Sequence, residues 1–242
     1  MMIEIKQQLQ ATQADIEKAI AKRDTHHVVN QGGGVTLLSV SKGQPAQKLR
    51  EAYEAGQSKF GENYLQEALN KQSELQDLNI EWHFIGPIQS NKTQLIAQHF
   101  NWVHGVDRLK IAQRLNDARP SDCLPLQICL QVNISGEASK SGIAPSELIN
   151  LVKDVSALPR LALRGLMTIP EPTQDAAMQH AQFRQMRELL KNLIKQGYAL
   201  DTLSMGMSSD YQIAIEEGAT IIRVGSAIFG ARPAKITPED SN

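Results

Sequence analysis

VTLLSVSKGQP, residues 35–45, is the stretch on which the fold turns. Its first six residues form an uncharged, β-branched run with the composition of a buried strand. The segment immediately after that run separates two α/β architectures. An open doubly wound sheet built to bind a dinucleotide carries a glycine-rich phosphate loop directly after its first strand. Here the strand runs into SKGQP, with a single glycine and a lysine, so the doubly wound reading loses its main support.

Outward from this stretch, short β-branched or aromatic runs alternate with longer amphipathic segments, the pattern of consecutive βα units around a parallel sheet. The strand candidates are VTLLSV (35–40), SKF (58–60), EWHFI (81–85), WVHGV (102–106), LQICLQVN (126–133), LALRGLM (161–167), TLSM (202–205) and TIIRV (220–224). Helix candidates fall at 45–55, 62–75, 91–99, 108–117, 145–156, 175–196 and 210–217, several opened by Pro or Asp, which suit a first helical turn. Upstream, Ile5, Leu9, Ile16 and Ile20 recur at helical spacing. The count predicts an α/β fold, a single (β/α)8 TIM barrel with an extra N-terminal helix over 1–230, followed by a polar tail, 231–242, expected to be disordered. A chain of 242 residues matches the ~250 typical of one such barrel and leaves no room for a second domain of ordinary size.

A formal charge of -1 and a pI near 6.6 give no broad basic surface, so neither nucleic acid nor membrane is an expected partner. Cys123 and Cys129, in a hydrophobic context, fit neither a CxxC motif nor a disulfide framework, so reduced core thiols and a cytoplasmic location are expected. Glu4, Lys6, Asp15, Glu17 and Lys18 interrupt the opening segment and deny it the apolar centre of a secretory signal. No run approaches the ~18 apolar residues of a membrane span. The six histidines show no metal-ligand spacing, so no metal is expected, and no GxSxG elbow occurs.

Barrel active sites form at the C-terminal ends of the strands. Those positions hold Lys42, Asn63, His83 with Gly86, Asn133, Met167 with Thr168, Gly206 to Ser208, and Arg223 with Gly225 and Ser226. A lysine at a barrel mouth is partly desolvated, which frees its amine to attack an aldehyde and form a Schiff base. Alone, Lys42 would read as a loop lysine. The segments SMGMSSD (204–210) and RVGSAIFG (223–230) put small residues at the seventh and eighth strand ends, the usual phosphate position of a barrel. Glycine lets backbone approach an anion, and Ser208 and Ser226 add hydroxyl donors. Either segment alone would read as a tight turn at Gly206 or Gly225, whereas the two together favour a phosphate cup. Arg223, within an apolar strand, needs a partner: a core carboxylate, the phosphate, or an aromatic ring nitrogen. With a pKa above ~12, an arginine facing a ring nitrogen would leave it unprotonated, which suits a racemase or a holder better than transaminase-like chemistry. His83 reads as pocket lining or as structural, Lys92 as a helix-surface charge, and Lys140, in SGEASKSGI, as a solvated lysine or a second amine that receives the bound group.

Lys42, GENY (61–64), WHFIGPIQSNK (82–92), SKSGI (139–143), RGLM (164–167), SMGMSSD and RVGSAIFG together make the sequence closely resemble the pyridoxal phosphate homeostasis protein family over nearly its whole length. The resemblance implies the barrel of the alanine racemase N-terminal domain, pyridoxal 5′-phosphate (PLP) as cofactor, no established enzymatic activity, and a part in vitamin B6 and amino-acid homeostasis. It also implies that Lys42 is the Schiff-base lysine, that Met207, Ser208, Gly225 and Ser226 hold the phosphate, that Arg223 faces the pyridine nitrogen, and that Asn63 lies beside the ring. Two departures from the family pattern, Gln44 in SKGQP and Ser209 in SMGMSSD, remove no bonding group the site requires.

The first functional reading is a monomeric PLP carrier, with apo PLP-dependent enzymes as recipients. The alternative is an amino-acid racemase, which needs an acid or base on each face of the substrate Cα. Tyr64 and Tyr211 are the tyrosines available for that, and no additional β domain of the alanine racemase kind is expected. A third reading, a scaffold with a vestigial pocket, is disfavoured by a lysine, an arginine and a phosphate cup retained in one chain.

Overall fold

Eight parallel strands close into a barrel in sequence order in the computed structural model, which describes residues 2–136 and 141–231. The strands are β1 (Thr36–Val40), β2 (Lys59–Glu62), β3 (Glu81–Phe84), β4 (Trp102–Val106), β5 (Leu126–Gln131), β6 (Leu161–Met167), β7 (Thr202–Ser204) and β8 (Ile221–Val224). Helix α1 (Met2–Lys22) precedes them. Helices α2 (Ala46–Glu54), α3 (Leu65–Glu74), α4 (Thr93–His99), α5 (Leu109–Ala118), α6 (Leu148–Ser156), α7 (Ala176–Lys195), α8 (Tyr211–Glu216) and α9 (Ser226–Phe229) come after the strands in turn. Closure comes from β1 pairing with β8, Leu38 opposite Arg223 and Ser39 opposite Val224. That pairing brings the chain after β1, which carries Lys42, beside the chain after β8, which carries Gly225 and Ser226.

Most of the core lies between strands and helices, around Phe60, Phe100, Phe183, Leu49, Ile111 and Leu115. A smaller cluster of Leu38, Ile85, Trp102, Cys129, Met167 and Ile221 fills part of the barrel interior. Helix α1 lays Ile5, Leu9 and Ile16 against α2, α8 and α9, with Ile20 half-buried at the edge. Burial of each such side chain contributes on the order of 1.5–3 kcal/mol. The helix thereby covers the flank where α8 and α9, of six and four residues, are too short to do so.

The expected barrel and leading helix are present. Strand β2 runs on through Gly61 and Glu62 where a helix start is expected at 62, because pairing with β3 continues to Glu62 opposite Phe84. Strand β5 stops at Gln131, beyond which only a single bridge joins Val132 to Ile143. Among the described residues no helix is long and apolar enough to cross a membrane, and no group of three or more His, Cys, Asp or Glu could hold a metal ion. Of the two cysteines expected in the core only Cys129 is buried, its thiol pushed up to about 12 by burial, whereas Cys123 is exposed because it falls in the loop between α5 and β5 and not on a strand. Lys140 and residues 232–242 of the polar tail lie outside the described residues.

Candidate functional site

A cavity of ≈ 540 Å³ opens at the C-terminal mouth of the barrel. Lys42, Asn63, Met207, Ser208, Arg223, Gly225 and Ser226 all line it, with Val40, Ile85 and Ile169 as apolar wall. Its size is in the range of small-molecule sites, and few polar groups on an apolar wall is their usual make-up.

Lys42 is half-buried in the turn between β1 and α2, and the peptide groups on either side of it are anchored. Lys71 of α3, itself buried, donates through Nζ to the Ser41 carbonyl at 2.7 Å and to Glu62 Oε1 and Glu67 Oε1, both at 2.6 Å. The Gly43 N–H donates to Glu67 Oε1 at 2.5 Å, and the Ser41 hydroxyl to Glu62 Oε1 at 2.6 Å. Burial pushes the Glu62 carboxyl above its ordinary range, with the Lys71 charge opposing it. The trio of Glu62, Glu67 and Lys71 thus fixes the backbone from which the Lys42 amine projects.

Arg223 is 4% exposed. Its Nη1 donates to Ser204 Oγ at 2.9 Å and its Nη2 to the Thr168 carbonyl at 2.8 Å. Of the partners left open by the sequence, a core carboxylate is the one the structure disfavours, since among the described residues Arg223 makes no ion pair. Burial pushes the guanidinium down to about 10, with the Asp210 charge opposing. That is below the value expected from sequence, yet the group remains cationic at neutral pH.

The two small-residue segments face each other, the Ser226 hydroxyl donating to Ser208 Oγ at 3.2 Å. Their glycines differ in role. Gly206 adopts φ 93°, and a Cβ there would lie 2.6 Å from the Ala214 Cβ, so it makes a true left-handed turn. Gly225 has φ -123° and is needed for close approach, since a Cβ would lie 2.9 Å from the Val40 carbonyl oxygen. The Met207 N–H donates to Asp210 Oδ1 at 2.6 Å, while Met207, Ser208 and Ser209 line the cavity. Asn63 Oδ1 is buried with no hydrogen-bond partner among the described residues.

Several residues weighed from sequence lie elsewhere. His83 is buried within the barrel, bonded to Glu81 and His104, and does not line the cavity. Lys92 is exposed in the turn before α4. Tyr211 is buried as the first residue of α8, and Tyr64 is 58% exposed beside Asn63. Asn133 accepts from Ser135 and Gly136 in the loop after β5. Sequence reasoning missed His104, Ser204 and the trio of Glu62, Glu67 and Lys71. The Glu67–Lys71 spacing of i, i+4 was the visible signal for the last.

Known proteins share the sequence and the barrel of this chain. The family profile described as alanine racemase, N-terminal domain, matches residues 14–233. The pyridoxal phosphate homeostasis protein of Pseudomonas aeruginosa is 64% identical over 198 residues, covering 82% of this chain and 85% of that protein. Its namesake from Vibrio cholerae is 50% identical over 235 residues, covering 96% and 98%. PipY of Synechococcus elongatus, solved with PLP bound, superposes with a TM-score of 0.80 at 38% identity, covering 93% of this chain and all of that one. Built on the barrel of the alanine racemase N-terminal domain, the chain belongs to the pyridoxal phosphate homeostasis protein family.

Proposed function

We propose that this chain holds PLP on Lys42 as a Schiff base and serves intracellular vitamin B6 homeostasis as a carrier or donor of the cofactor, not as a committed enzyme. The observation that carries this reading is one cavity bordered by an amine at Lys42, a buried guanidinium at Arg223, and the facing hydroxyls of Ser208 and Ser226. Those groups match, in kind, an aldehyde, a ring nitrogen and a phosphate. The unpartnered Asn63 Oδ1 offers a further polar contact beside the ring, and Gly225 keeps backbone bare where a Cβ would press on Val40.

When bound, PLP supplies an aldehyde for amine capture and a ring that withdraws electrons, less strongly where an arginine faces its nitrogen. The protein's part is to hold. Glu62, Glu67 and Lys71 keep Lys42 in place, Ser204 and Thr168 orient Arg223, and Ser208, Ser226 and the first N–H groups of α9 receive the phosphate. Met207 contributes the wall of the cup, its own N–H being taken by Asp210.

The racemase alternative calls for an acid or base on each face of the substrate. Tyr211 packs at the α1 side of the barrel and Tyr64 points to solvent, an arrangement that favours holding over turnover. A cytoplasmic monomer that delivers to apo PLP-dependent enzymes completes the proposal.

The test is an absorbance titration of the purified protein with PLP, repeated for Lys42→Ala, then borohydride reduction and peptide mapping. A visible band lost in the variant, with the reduced adduct on Lys42, is the expected result. An adduct on another lysine would overturn the assignment, and sustained racemisation of amino acids that Tyr64→Phe or Tyr211→Phe abolishes would overturn the carrier role.

A further inference from the structure

An unbroken row of hydrogen bonds, buried except for the last at Glu81, crosses the barrel interior from the cavity at its C-terminal mouth toward the N-terminal mouth. Arg223 Nη1 lies 2.9 Å from Ser204 Oγ, Ser204 Oγ 2.8 Å from His104 Nδ1, His104 Nε2 2.9 Å from His83 Nδ1, and His83 Nε2 2.9 Å from Glu81 Oε1. Glu81 is the first residue of β3 and lines a second cavity, of ≈ 720 Å³, among the strand starts.

The chemistry at each end gives the row one direction. A guanidinium has no acceptor, so Arg223 donates and Ser204 Oγ accepts. The Ser204 hydroxyl hydrogen, fully buried, then has His104 Nδ1 as its acceptor. His104 therefore carries its proton on Nε2 and donates to His83 Nδ1, and His83 carries its own on Nε2 and donates to the Glu81 carboxylate. Reversing the order would leave the Ser204 hydrogen buried with no acceptor, which is costly. Burial disfavours charge on both imidazoles, in line with two neutral rings. Trp102 stacks on His83 with ring centroids 5.5 Å apart and limits its rotation. Since Arg223 does not accept a proton, the row braces and does not conduct.

We infer that Ser204, His104, His83 and Glu81 are positioning residues for Arg223, forming a one-way hydrogen-bond row that fixes both histidines as neutral Nε2–H tautomers and holds the guanidinium toward the cofactor ring. The direction of Arg223 toward a ring rests on the proposed function, while the row and its tautomers do not.

The experiment separates the two. Long-range proton–nitrogen correlation spectra of histidine-labelled protein without added PLP, assigned with His83→Gln and His104→Gln, read the tautomers directly. Two neutral rings protonated on Nε2 between about pH 6 and 8 are expected. An Nδ1–H tautomer or an imidazolium at either position would overturn the row. Ser204→Ala is expected to release the His104 tautomer and weaken PLP binding about ten-fold, with Ser204→Thr, which keeps the hydroxyl, restoring both. An unchanged His104 spectrum and affinity in Ser204→Ala would defeat the positioning role. Wild-type protein that shows the expected tautomers and binds no PLP would sink the proposed function and uphold the row.

Discussion

At residue 225 the absence of one methyl group lets the last strand end lie against the first. A Cβ on Gly225 would stand 2.9 Å from the Val40 carbonyl oxygen, on rigid backbone that does not step aside. Gly225→Ala is therefore expected to push the end of β8 away from β1 and cost about 1–3 kcal/mol, the usual range for overpacking. The same displacement separates Ser226 from Lys42 across the cavity, so PLP affinity should fall by about ten-fold or more. A urea unfolding curve and a PLP titration check the two effects together. Affinity equal to wild type would mean that the strand ends yield without disturbing the site. Both late glycines stood out in the sequence, but with the same explanation for each. Only the backbone angles distinguish the left-handed turn at Gly206 from the close approach at Gly225, because φ depends on what the next helix packs against.

Helix α3 acts on the site through an ion cluster. Lys71 and Glu67 stand one turn apart on it, and together they reach back to the peptide groups flanking Lys42. Glu67→Ala removes the acceptor of the Gly43 N–H while leaving Lys71 paired with Glu62, so the fold should survive with a loss of about 1 kcal/mol. Capture of PLP by Lys42 should weaken about ten-fold as its turn loosens, measured as the yield of borohydride-trapped adduct across a PLP titration. A yield like that of wild type would show that the turn holds its shape without α3. The strands and most helices were legible because each depends on a local period, 2 for the β-branched runs and 3.6 for the helices. Barrel closure was inferred only from the count of units. It rests on Leu38 meeting Arg223 from opposite ends of the chain, which no local window contains. The site divides the same way. Lys42, Asn63 and Arg223 were legible as polar groups at the ends of apolar runs. His104 was not, since the face a strand residue takes depends on register, and the β4–β5 and β5–β6 ladders both shift midway.

Across the whole molecule, an interior that most barrels fill with branched apolar layers here shares its space between an apolar cluster and the row from Glu81 to Arg223. Protonation of that interior is linked to the stability of the entire barrel. Burial lowers the folded-state pKa of His83, opposed by Glu81, and lowers that of His104 well below 6.5. Across the interval between the unfolded value of 6.5 and the lower folded values, the unfolded chain binds more protons. Stability from these two groups is thus fully present above about pH 6.5 and is lost as pH falls toward their folded-state pKa values. Glu81, held low first by its bond from His83, loses its contribution only as pH falls below the ordinary carboxylate range near about 4. Over the range from pH 8 to about 5 the Glu81 carboxylate keeps its contribution, so that range reads the histidine contribution apart from it. Urea midpoints should change little from these groups between pH 8 and about 6.5, then fall steadily toward pH 5. In His104→Gln the fall should be shallower, from a lower starting stability at pH 7, because one buried group that must gain a proton on unfolding is gone. A wild-type midpoint that stays level down to pH 5 would mean that the interior imidazoles are not held neutral, and with that the direction of the whole row would fail.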